Sequence, residues 1–76
     1  MPAKKSLANQ TLGKAIRSAR EFRGYTQEGF ARKAGLDRSY YGAIERGEFN
    51  LSVDTVLKIA AALDMTACEL FGQAAL

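Results

Sequence analysis

One helix-start pattern recurs so regularly along this sequence that it restricts the fold more than any other feature. An apolar residue precedes a Ser, Thr or Asp, and a second apolar residue follows a turn later. The sets are Tyr25, Thr26 and Phe30; Leu36, Asp37 and Tyr41; Leu51, Ser52 and Val56; and Met65, Thr66 and Leu70. The middle residue can accept a hydrogen bond from the free N–H groups of a new helix, while the flanking pair staples its first turn. Four helices are therefore predicted to start at these points. The last adds a capping box, Thr66-Ala67-Cys68-Glu69, whereas Gly29 forfeits the box in the first and costs about 1 kcal/mol in helix propensity. Upstream, Leu12, Ala15, Ile16, Ala19 and Phe22 repeat at helical spacing, opposite Lys14, Arg17, Ser18 and Glu21, and Gly24 ends the stretch. No strand pattern or internal repeat competes. The expected fold class is all-α: a compact five-helix domain over residues 9–76, preceded by a flexible basic tail at residues 1–8 with Lys4 and Lys5.

Composition narrows the function. With 47% apolar and 25% charged residues, the chain matches a soluble globular domain, and no apolar run approaches the roughly 20 residues of a membrane span. Ser6, Asn9, Gln10 and Thr11 stand where a signal peptide would need apolar residues, so cytoplasmic residence is expected. Cys68 is the only cysteine and there is no histidine. An intrachain disulfide is thereby excluded, a zinc site lacks its usual ligands, and the commonest general base is missing. Cys68 is expected to pack as a small reduced apolar side chain. Nothing points to an enzyme, a cofactor or a small-molecule ligand. Charge is uneven: residues 1–38 hold nine Lys/Arg against three Asp/Glu, a balance of +6, and residues 39–76 hold two against five, a balance of −3. The basic half suits a polyanion, although two solvated faces would give the same balance.

Between the second and third helices stands Ala34-Gly35-Leu36. Gly35 can adopt the positive φ that ends one helix and turns the chain sharply into the next, with Ala31 at the crossing and Leu36 closing over Ala31 or Phe30. The result is either a helix-turn-helix or a plain helical hairpin. In the fourth helix, Val53, Val56, Leu57, Ala60 and Leu63 share a face with Ile59 beside it, which predicts core packing for all six.

The segment TQEGFARKAGLDRSYYGAIERG resembles the helix-turn-helix of the phage repressor and Cro family, also called the xenobiotic-response-element family. The likeness runs from LGKAIRSAR to DMTACELF, and LDRSYYGAIERGEFNLS is most similar to the controller proteins of restriction–modification systems. It implies a repressor-like five-helix domain, acting as a homodimer on a palindromic double-stranded DNA operator, with the third helix (about residues 38–46) in the major groove. On that docking, Tyr41 and Ile44 face inward, while Arg38, Ser39, Gly42, Ala43 and Arg46 face outward. Arg38 can then donate two hydrogen bonds to guanine, Ser39 can reach a base edge or a phosphate, and Ala43 can touch a thymine methyl. The alternative for Arg38 is a solvated partner of Asp37. The likeness further implies that Gln27 binds a backbone phosphate and that Arg20 and Glu45 form a partly buried ion pair tying the first helix to the third. Arg46 and Asn50 follow the recognition helix and contact phosphate, cap a helix or brace the loop. Tyr40 either offers its hydroxyl to a phosphate or packs sideways.

Two departures stand out. Phe49 occupies a position where relatives carry Arg or Lys, and Gly42 supplies no base contact, so specificity would rest on few side chains and on DNA shape. Leu70, Phe71 and Leu76, joined by Ile59, exceed what one small core obviously needs and lie toward the end where the likeness implies dimerisation, so they either form the dimer interface or merely close the core. The sequence thus predicts a sequence-specific DNA-binding transcriptional regulator. The alternative is a protein-interaction module, antitoxin-like or bridging, that binds DNA weakly.

Overall fold

The computed structural model describes residues 6–76, and among them the chain forms five helices and no strand. These are α1 (Leu7–Phe22), α2 (Gln27–Ala34), α3 (Arg38–Glu45), α4 (Val53–Ala62) and α5 (Ala67–Gln73). Each of the four expected caps accepts the N–H three residues on: Thr26 from Gly29, Asp37 from Tyr40, Ser52 from Thr55 and Thr66 from Glu69. The Thr66–Glu69 capping box is closed in both directions, and Tyr25 packs edge-on against Phe30, their ring centroids 5.8 Å apart.

The first helix begins at Leu7, ahead of the expected domain boundary at residue 9. Residues 1–5 lie outside the described residues, but Ser6 caps α1 by accepting the Asn9 N–H at 3.0 Å, and Leu7 and Ala8 are helical. The apolar pattern begins only at Leu12 because the first turn of α1 is exposed. The Ser6 cap and the Asn9–Asn50 hydrogen bond at 2.7 Å hold it.

α1 packs against α3 and α5, α2 against α3 and α4, and α4 against α5. Ile16, Phe30, Tyr41, Ile44, Ile59, Leu63 and Leu70 are the largest fully buried side chains where these helices meet. Three expectations fail here. Leu70, and Ile59 in the second of its two expected roles, do not reach an interface: both are 0% exposed and belong to the core, as the α4 pattern predicted for Ile59. Conversely, Val53 is 76% and Leu57 52% exposed: α2 and α5 cover the side of α4 centred on Ile59, which leaves the far edge of its apolar arc bare. Cys68 is exposed on α5 rather than packed. No helix among the described residues is long and apolar enough to cross a membrane.

Candidate nucleic-acid interface

The turn between α2 and α3 is built by Gly35, whose backbone sits in the left-handed region (φ 73°, ψ 31°). Its N–H donates to the Arg32 carbonyl, and the next N–H, of Leu36, donates to Ala31 at 2.9 Å. This Schellman-type closure satisfies the last carbonyls of α2 and redirects the chain into α3. α3 is thereby presented at an angle across α2, its first turn free.

Behind α3 lies a buried polar network. Glu45, with 2% of its side chain exposed, accepts from Arg20 Nε at 2.7 Å and Arg20 Nη2 at 3.1 Å. The same carboxylate takes the Tyr41 hydroxyl and the Gln27 amide, the latter at 3.0 Å. Arg20 also donates to the Tyr25 carbonyl at 2.8 Å. Three helices and the α1–α2 turn are thus tied to one carboxylate. Burial acts to raise the Glu45 pKa, but the bonds from Arg20, Tyr41 and Gln27 outweigh it and hold the group below its ordinary value. Burial and the Glu45 contact together push the Tyr41 phenol well above its own. The expected Arg20–Glu45 pair is therefore the centre of a larger set. The sequence gives no sign of the Tyr41 hydroxyl's part, because nothing in an apolar-side tyrosine signals where its oxygen points.

In front of the network, Gln27, Arg38, Ser39, Gly42 and Arg46 line one polar cleft of about 210 Å³. Arg38 and Ser39 are exposed, and Arg38 has no ion-pair or hydrogen-bonding partner among the described residues. Asp37 accepts the Tyr40 N–H, so it acts as a cap rather than as a counter-charge for Arg38. Gln27 spends one amide hydrogen on Glu45, which aims its carbonyl oxygen toward Gly42. A side chain at Gly42 would begin 3.2 Å from Arg46 Nη1 and 3.4 Å from Gln27 Oε1, so the missing Cβ is what keeps the cleft open.

Other expected contacts fall elsewhere. Ala43 is 5% exposed and unavailable to a thymine methyl, and its carbonyl accepts the Glu48 N–H at 3.0 Å. Tyr40 is half-buried and meets Phe49 edge-on, with 5.4 Å between ring centroids, so each gives the other a partner. Asn50 braces the loop, its Oδ1 accepting from Asn9 at 2.7 Å. Arg46 remains at the cleft but is paired with Glu48 at 2.7 Å.

Residues 16–70 match the family model described as Helix-turn-helix. The chain belongs to this helix-turn-helix family. Residues 16–70 thus carry a helix-turn-helix DNA-binding domain, and the relatives that share it are transcription regulators. A hypothetical transcription factor of Neisseria meningitidis serogroup B is 42% identical over 55 residues, covering 72% of this chain and 52% of that protein. The chain therefore spans about half the length of that relative. Among solved structures, the restriction-modification controller protein C.AhdI from Aeromonas hydrophila superposes with a TM-score of 0.84 at 42% identity, covering 87% of this chain and 100% of that one. The biofilm regulator SinR, solved in complex with DNA, gives a TM-score of 0.74 at 34% identity over 79% of this chain and 97% of its own. This helix-turn-helix protein is thus of phage repressor and Cro type and similar to restriction–modification controllers.

Proposed function

We propose that the chain is a cytoplasmic, sequence-specific regulator that inserts α3 into the major groove of a palindromic operator as a C2 homodimer. The observation that carries this reading is the open polar cleft, where an unpartnered Arg38 and Ser39 stand at the exposed N-terminus of α3 beside Gln27 and Arg46. Arg38 reads a guanine edge and Ser39 a base edge or phosphate, while the exposed end of α2 and Gln27 take the backbone. Arg46 reaches phosphate by exchanging Glu48 for it. Tyr40 and Asn50 hold the surrounding loop instead of contacting DNA, and Ala43 has no part.

Replacing Arg38 with alanine should weaken operator binding by about 1–3 kcal/mol, roughly 5- to 150-fold, and relax discrimination at one base pair. Gln27→Ala should weaken all duplexes more evenly. Fluorescence anisotropy on duplexes selected from a random pool measures both. An Arg38→Ala variant that keeps the wild-type preference order removes the assignment.

The dimer face shifts from the residues first expected. Leu51, Val53, Val56, Leu57, Ala67 and Phe71 line an apolar groove of about 150 Å³ between α4 and α5. Phe71 lines this groove and is part of the proposed interface. Leu76, 57% exposed, lies outside the groove lining. A second copy seated here sets two recognition helices about 34 Å apart, one duplex turn. Because Leu57 is 52% exposed, Leu57→Glu should leave the circular dichroism spectrum intact yet give a monomer by light scattering. A wild-type chain that is monomeric at high micromolar concentration retires the dimer.

A further inference from the structure

The side of α1 turned away from α3 carries a second surface that DNA reading does not use. Gly13 and Arg20 face α3: a Cβ on Gly13 would meet α3 carbonyls, and Arg20 bonds Glu45. At 100° per residue, Ala15, Ser18 and Phe22 lie on roughly the opposite side of the same helix. There, two hollows of about 320 and 310 Å³ run between α1 and α5 and share Ser18 and Gln73. Ala15, Ala19 and Ala74 give the combined groove an apolar floor, Lys14 stands at one end and Arg23 at the other. Phe22 rises from its edge 89% exposed, the most exposed large apolar side chain among the described residues.

We propose that this groove docks an acidic amphipathic helix of a protein partner, with Phe22 as its aromatic anchor. Charge complementarity selects the occupant. Both hollows are lined by a basic residue and by no carboxylate, and the neighbouring Glu21 is occupied by Arg17 at 3.3 Å and Arg20 at 3.9 Å. A second copy does not suit the groove, since a two-fold contact would set Lys14 and Arg23 against their own like charges. An exposed aromatic flanked by cations is the composition from which interface anchors are drawn. The groove stands on residues distinct from the DNA cleft, and its location leaves α3 accessible while it is filled.

The test uses the ¹⁵N-labelled full chain and two synthetic amphipathic helices of about four turns with the same Leu/Phe face, one flanked by Glu and the other by Lys. The Glu probe should move the amide resonances of Ser18, Phe22 and Gln73, bind less tightly as salt rises, and bind about tenfold or more weakly to Phe22→Ser. Lys14→Glu sets one negative charge against Arg23 and should abolish the preference for the Glu probe. Both variants change exposed side chains and keep Arg38 and Ser39 intact, so DNA binding should be unchanged and is scored separately. Equal binding of the two probes overturns the proposal, as do shifts confined to Arg38, Ser39 and Gly42, or no shifts at millimolar probe.

Discussion

Glu45→Ala should be the most destabilising single change in this domain, removing about 3–5 kcal/mol. A chain of 76 residues has on the order of 4–11 kcal/mol of folding stability at about 0.05–0.15 kcal/mol per residue, so the variant should be largely unfolded or melt far below wild type. The magnitude follows from what is left behind. Arg20, with 9% of its side chain exposed, would keep its charge with only the exposed Glu21 at 3.9 Å as a counter-ion, and the buried Tyr41 hydroxyl and half-buried Gln27 amide would lose their acceptor. Urea unfolding followed by circular dichroism measures it, and a loss under about 1 kcal/mol would contradict the network's role. Removing the whole set should be milder than removing its centre: a combined Arg20→Met, Tyr41→Phe and Glu45→Met chain should recover much of the loss.

The same carboxylate sets an acid limit. Its folded-state pKa lies below the ordinary 4.5, so its contribution is complete above that value and is lost as pH falls through the folded one. Stability should be flat in this respect at neutral pH and decline below about pH 4.5. Glu45→Gln should start lower and show a shallower acid decline.

Gly13→Ala should produce the second large effect, despite being a substitution that favours isolated helices. A Cβ there would lie 2.6 Å from the carbonyl oxygens of both Ile44 and Glu45, with the Glu45 carbonyl carbon at 3.0 Å. These are backbone atoms at the end of α3 and cannot swing aside, so α1 must move off α3 and strain the Arg20–Glu45 bonds as well. The expected loss is at the upper end of about 1–3 kcal/mol for overpacking. Gly72→Ala is the matched control. Its Cβ would have nothing within 4 Å, so it should stabilise by about 0.4–1 kcal/mol through the unfolded chain alone. Thermal melts of the two variants should therefore shift in opposite directions, and equal shifts would refute the close α1–α3 approach.

Gly13 also shows why part of the site was not legible. A glycine inside an apolar helical pattern looks like a weak helix position, and only the arrival of α3 from 31 residues downstream gives it a purpose. The same holds for Gln27. The family likeness implied a phosphate ligand, yet the direction of the Gln27 amide is set by Glu45 on another helix. Ala43 and the Val53–Leu57 edge failed for a related reason. A helical pattern gives the angular position of each side chain, but the neighbour that covers one arc and leaves another bare is chosen by packing.

What the sequence determined by itself was the local architecture: where helices begin, because a cap and its N–H partner lie three residues apart, and where the helix-turn-helix bends, because Gly35 can take a positive φ without a neighbour's help. Those interactions are complete within one turn of chain and read directly from residue order. Tertiary structure alone decided that Tyr41, Gln27 and Arg20 converge on Glu45, that Gly42 opens a cleft in front of them, and which apolar faces stay uncovered. Each of these depends on the relative placement of separate helices, fixed by burial of the shared core rather than by any short stretch of sequence.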